Sequence, residues 1–358
     1  MKKNILDDIK AIKKLDSGNM LGSLQLLSKQ VEQVYNFSQN LFIPTSYKNI
    51  NKIVVLGMGG SALGAHLIKT LFVEELKYPL EIVNDYHIPS FVDNKTLVIG
   101  SSYSGTTEEV LSAIKEAKQK KAKIAVISAG GELAKIAKQN KYPALIFTTE
   151  NNPCGSPRMG LGYSIVGQLI LFSKLGILKI SKKQIKEIIK TLAYYDTLFG
   201  VLTPEKENPA KWLAKHTLNK SVWYVGAEHL IGNIHIAANQ MNENAKRFAG
   251  FFAIPELNHH LMEGMINPKS NQKDLLFVFI NSFAYDKRIQ KRFLVTKKVL
   301  EKNKIINITY TCQEKSKFLQ AFEILVLGSY ASYYSALLKN IDPTAIPFVD
   351  YFKEQMKK

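Results

Sequence analysis

The stretch SSYSGTTEE, Ser101 to Glu109, packs five serine and threonine hydroxyls and one glycine into seven residues and then turns acidic. The apolar run TLVIG (Thr96 to Gly100) leads into it, and EEVLSAIKEAKQKK (Glu108 to Lys121) leads away from it. A short apolar run without alternation reads as a strand buried on both faces, and the acidic pair as the first turn of a helix. The loop therefore stands at the carboxyl end of a parallel strand, where the ligands of α/β proteins collect. Capping a helix takes one hydroxyl, not five. Neutral donors, with Gly105 for close backbone approach, suit a phosphate monoester whose charge the helix dipole already meets in part.

The same alternation extends outward on both sides. KIVVLG (52–57), LEIVND (80–85), KIAVIS (123–128) and ALIFT (144–148) are expected strands, with helices over about 61–76, 107–121, 131–140 and 159–176. The pattern then restarts. SVWYVG (221–226), DLLFVFI (274–280) and KIINITY (304–310) are strands, separated by the helix LIGNIHIAANQMNENA and one over about 287–303, with a last helix over about 317–338. The expected fold is α/β, with two units that each carry a mainly parallel sheet flanked by helices on both faces. The expected divisions are a helical segment over 1–45, a first unit over 46–180 and a helical linker over 181–208. A second unit over 209–340 and a tail over 341–358 complete the chain, and the breaker-rich TPEKENP (203–209) marks the linker.

Composition narrows the function classes. At 358 residues, with 46% hydrophobic and 22% charged residues, the chain has the make-up of a globular protein of about two domains. No apolar run reaches the roughly 20 residues of a membrane helix. The start MKKNILDDIKAIKK is basic, but Asp7 and Asp8 interrupt any apolar stretch of a signal peptide. With Cys154 and Cys312 as its only cysteines, the chain has no disulfide framework, and the cytoplasm is the expected location. The net charge is +18, yet only four of the 48 basic residues are arginine, and the lysines are scattered singly. That is not the clustered, arginine-rich face of a nucleic-acid binder, although it would steer anionic metabolites.

A second loop, VVLGMGGSALGAHLI, joins the first strand to its helix through Gly57, Gly59 and Gly60. Gly57, Gly59 and Ala62 fit a loose dinucleotide fingerprint, with Asp85 as a ribose ligand. Equally, the turn aims backbone N–H groups at an anion. A dinucleotide site does not require the second, hydroxyl-rich loop; a sugar-phosphate pocket does.

In combination, GMGGSALGA, SSYSGTTEEVL, ISAGGELAKIA and SPRMGLGYS resemble the sugar isomerase (SIS) domain. With NQMNENAK and PELNHH in the second half, the chain resembles the bifunctional phosphoglucose/phosphomannose isomerases over about residues 50–353. The resemblance implies two SIS domains and interconversion of glucose or mannose 6-phosphate with fructose 6-phosphate through a cis-enediol. It implies no cofactor or metal, and a homodimer. Gly60, Ser61, Ser102, Ser104 and Thr107 would hold the phosphate, and Arg158 would lie by the C1–C2 oxygens, where a permanently charged guanidinium suits an enediolate. Glu243 matches the base, and His259 the ring-opening histidine, donated by the partner subunit. Thr344 matches the residue tied to accepting mannose phosphate, and Lys353, or else Lys357, the lysine that assists ring opening.

Two departures stand out. NHHLMEG (Asn258 to Gly264) replaces the usual Asn-His-Asn-Glu, so His259 or His260 fits the role and Glu263 falls one place late. Thr106 stands where the family usually has Asn. Outside the resemblance, Glu243 reads as a surface partner of Lys246 at i+3, His260 and Glu263 as an incomplete metal pair, and His235 as a core histidine. Other readings of the chain are a sugar-phosphate sensor without chemistry, an isomerase of another phosphosugar, and a nicotinamide-dependent dehydrogenase.

Overall fold

The computed structural model of the chain describes residues 5–356, so Lys357 lies outside the described residues. The first sheet contains β1 (Lys52–Leu56), β2 (Leu80–Val83), β3 (Thr96–Ser102), β4 (Lys123–Ser128) and β5 (Ala144–Ile146), in the spatial order β2-β1-β3-β4-β5. The second contains β6 (Ser221–Ala227), β7 (Ala249–Ile254), β8 (Leu275–Asn281) and β9 (Ile306–Thr311), ordered β7-β6-β8-β9. Every strand pair is parallel. Strand order reverses between β1 and β3, which pair from Lys52↔Thr96 to Leu56↔Gly100. The glycine loop and the hydroxyl loop therefore leave the sheet side by side at its switch point.

Alternation along the strands feeds two cores. Ile53, Val55, Leu97, Ile99, Ala125 and Ile127 face a large core shared with the second sheet, while Val54, Leu56, Val98 and Val126 face a smaller one under the helix Glu108–Gln119. The helix Lys317–Leu337 runs through the shared core and is buried at every residue from Gln320 to Leu337. It packs against the helices Met20–Gln25, Leu63–Leu71, Lys182–Phe199 and Ile231–Ala245, so residues from both halves surround it. Its polar groups are met. Tyr333 Oη donates to Asp16, Tyr334 Oη to the Phe199 carbonyl, and Ser329 and Ser332 accept from Gln240 and Asn244.

Residues 182–199, expected as part of a linker, form one helix with a Ser181–Gln184 capping box, packed on the helix Leu27–Phe37. Two local features differ from the sequence reading. β7 was not expected; its residues AGFFAI sit at a sheet edge, half-buried until Ile254, and so carry no clean alternation. The helix expected over 159–176 starts as a 3₁₀ turn at Pro157–Met159 and passes through a π-helical stretch at Gly162–Val166. Gln30 Oε1 takes the Gly162 N–H at 2.9 Å, a first-turn donor that the helix leaves without an internal partner. Among the described residues no helix is long and apolar enough to cross a membrane.

Candidate functional site

Ser61 ends a 3₁₀ turn (Gly59–Ser61) beyond β1, and its Oγ accepts the Tyr103 N–H at 2.9 Å. Its carbonyl accepts from Ser101 Oγ (2.7 Å) and from Gln168 Nε2 (2.6 Å), a polar side chain on a mostly apolar helix. The two loops are thus stitched together from below. In the hydroxyl loop, Ser102 Oγ lies 2.7 Å from Thr107 Oγ1 and accepts the Gly105 N–H, while Ser104 Oγ lies 3.0 Å from Thr106 Oγ1. Gly105 adopts φ +71°, and a Cβ there would sit 1.9 Å from the Gly130 carbonyl, so only glycine fits. Thr107 is the N-cap of the helix Glu108–Gln119 but makes no side-chain cap bond. Capping therefore does not account for its hydroxyl, and the first-turn N–H groups of that helix keep no side-chain partner from Thr107.

Arg158 comes up against this cradle through its backbone: a Cβ on Gly60 would meet the Arg158 Cα at 3.2 Å. Tyr103 holds the arginine loop from the other side, with its Oη accepting from Asn152 and its ring filling the space above Gly160. Arg158 is 3% exposed. Its Nε donates to Asn244 Oδ1 (2.7 Å) and its Nη2 to the carbonyls of Pro343 (3.1 Å) and Thr344 (2.8 Å), leaving Nη1 3.8 Å from Glu243 Oε2.

Glu243 sits in the last turn of the helix Ile231–Ala245, with 36% of its side chain open. Burial lifts its carboxyl above the usual carboxylate range, against the pull of Arg158, Lys353 and Lys246. The surface-pair reading of Glu243 with Lys246 does not describe the geometry. Lys246 turns left-handed at the helix end, and its ammonium bonds carbonyls instead. Thr344 lies in the same place, its Oγ1 buried without a partner among the described residues and packed where Gly18 leaves room for it. Lys353 is exposed on the helix Pro347–Met356, near enough to act on Glu243 through its charge.

His259 is not brought to this cluster within one chain. It is exposed on the short helix Leu257–His260 after β7, and its ring has no hydrogen-bond or ion-pair partner among the described residues. His260 instead has Nδ1 3.0 Å from Glu256 Oε1, a carboxylate four residues before it rather than Glu263. His235 stacks on Phe251 and meets His66 edge-on. Sequence reasoning missed Asn244, Gln168 and Lys246 as members of the site. Only Gln168 carried a visible signal, as a polar residue inside GYSIVGQLILF.

Two parallel sheets flanked by helices, with a hydroxyl-rich loop at the switch point of the first, are the architecture of an SIS-type protein. The SIS domain model matches residues 46–177, and the model of the bacterial phospho-glucose isomerase C-terminal SIS domain matches residues 206–356. The bifunctional phosphoglucose/phosphomannose isomerase of Caldicellulosiruptor bescii is 34% identical over 94% of this chain and 98% of its own. The enzyme of that name from Thermoplasma volcanium is 29% identical over 91% and 98%. The chain belongs to the bifunctional phosphoglucose/phosphomannose isomerase family. A hypothetical protein of Thermus thermophilus shares the fold, with a TM-score of 0.71, 17% identity and coverage of 97% of this chain and 93% of its own.

Proposed function

We propose that this chain interconverts glucose 6-phosphate or mannose 6-phosphate with fructose 6-phosphate through a cis-enediol, without a metal. The observation that carries this reading is the pairing of Glu243 and Arg158 at 3.8 Å beside the Gly60 turn of the cradle. The phosphate rests on Ser61, Ser102, Ser104 and Thr107 and on the N–H groups of the helix that starts at Glu108. Glu243 takes the proton from C2 of the aldose and returns it to C1. A carboxylate lifted by burial is nearer the basicity such a transfer needs. Arg158, held by Asn244 and two carbonyls, is already oriented when negative charge develops on the C1–C2 oxygens, the role that a metal fills in other isomerases.

Ring opening falls to His259 of the partner subunit in a homodimer, with Lys353 assisting. Exposed apolar side chains on the tail helix (Phe348, Tyr351 and Phe352) support a subunit contact there. The test is proton–deuterium exchange at C2 of glucose and mannose 6-phosphates and at C1 of fructose 6-phosphate. Exchange with at least one epimer is expected. Tight binding of 6-phosphogluconate with no exchange would make the chain a sensor instead.

A further inference from the structure

Lys246 occupies a position that helices usually give to glycine. It caps the helix Ile231–Ala245 at φ 50° and ψ 43°, a left-handed conformation that side-chain-bearing residues adopt infrequently. Lys121, Lys141 and Lys304 turn left-handed too, with exposed side chains, so what sets Lys246 apart is where its ammonium goes. Its Nζ reaches back and donates to the carbonyls of Asn244 (3.2 Å), Asp342 (2.8 Å) and Pro343 (3.0 Å). The Pro343 carbonyl also accepts from Arg158, so two cations converge on one turn. The same turn is braced from the amino-terminal segment by Ser17 Oγ on Asp342 Oδ2 (2.5 Å), and internally by the Thr344 N–H on Asp342 Oδ1 (2.8 Å).

We propose that Lys246 is a positioning residue: it pins the 342–344 turn to the end of the helix that carries Glu243, and so fixes Thr344 relative to the base. The substrate consequence rests on the isomerase reading above; the clamp itself does not. An ammonium has three donors, and here all three meet neutral oxygens, with Arg158, Glu243 and Asp342 as the charged groups around it. Burial, then the neighbouring Arg158, push its pKa down to about 8, so the clamp weakens as pH rises through that value. Deprotonation removes one donor and the charge that strengthens the other two.

The experiment compares the full-length protein with Lys246→Met and Lys246→Arg, by amide hydrogen exchange without ligand and by kcat/KM for the two aldose epimers. Lys246→Met is expected to speed exchange across residues 341–346 about tenfold, while the middle of the helix Ile231–Ala245 is unchanged. It is also expected to alter the ratio of kcat/KM between glucose and mannose 6-phosphates, and Lys246→Arg to restore part of both. Unchanged exchange at 341–346 overturns the proposal, as does faster exchange with an unaltered epimer ratio. Should the wild-type protein turn over neither epimer, the isomerase reading fails, and exchange alone judges the clamp. Should Lys246→Met not fold, wild-type exchange from pH 7 to 9.5, corrected for intrinsic rates, decides. Selective loosening of 341–346 supports the clamp, and uniform behaviour overturns it.

Discussion

Replacing Glu243 by glutamine separates what the residue does for chemistry from what it does for the fold. At an effective dielectric of about 20, charges 3.8 Å apart attract by roughly 4 kcal/mol, so the Arg158 contact alone would make Glu243 stabilising. Its carboxyl is nevertheless raised above the ordinary value, with burial the leading cause, so desolvation of the ionised form outweighs that attraction. The sign follows from proton linkage. Between the ordinary and the raised pKa the folded state holds more protons than the unfolded one, so stability falls as pH rises through that interval and stays lower above it. Glutamine keeps the shape and removes the ionised group. Glu243→Gln is therefore expected to lower kcat about 10³-fold, within the usual span for loss of a general base. The melting temperature at pH 7.5 should stay equal to wild type or rise, and 6-phosphogluconate should bind within a few-fold. Turnover comes from a coupled assay, stability from calorimetry and binding from titration calorimetry. Near-normal turnover would refute the base assignment, and a clear drop in melting temperature would refute the electrostatic argument.

Gly105→Ala places a Cβ 1.9 Å from the Gly130 carbonyl at φ +71°, so a loss of at least about 3 kcal/mol, read by urea titration, is expected along with loss of phosphate-dependent binding. Mixing inactive His259→Ala and Glu243→Gln subunits one to one should restore about a quarter of wild-type activity, because half the dimers are hybrids with one intact site each. No recovery would mean that His259 serves its own chain. Lys211 is fully buried, and its ammonium bonds Asp7 and the carbonyls of Val201 and Thr203 at 2.8–2.9 Å. Lys211→Ala should cost about 3–5 kcal/mol in denaturant titration while leaving kcat of the folded protein intact.

Much of the fold was legible because β1, β3 and β4 are apolar on both faces, and such runs leave little choice but the middle of a covered parallel sheet. The phosphate loops were legible for a similar reason, since a cradle built from consecutive residues is written consecutively. The reactive half of the site is different. Arg158 meets Asn244, Pro343 and Thr344 across 86 to 186 residues of chain, and nothing in SPRMG names those partners. Lys246 misled because the i+3 rule assumes that the helix continues, whereas this helix ends in a left-handed residue that is not glycine. β7 was lost because an edge strand with half-buried residues has no period to detect.

The buried helix Lys317–Leu337 also bears on how the protein is made. It lies after both sheets in the chain, yet residues from as early as Ile5–Asp7 pack on it. During synthesis the first sheet can pair its strands early, but the apolar face that will meet this helix stays uncovered until nearly all of the chain has left the ribosome. The nascent protein thus carries an open hydrophobic face through most of its translation. Holding that face apart from other chains is a task for chaperones, and pulse proteolysis of ribosome-stalled chains should show protection of the first half arriving only once Leu337 has emerged.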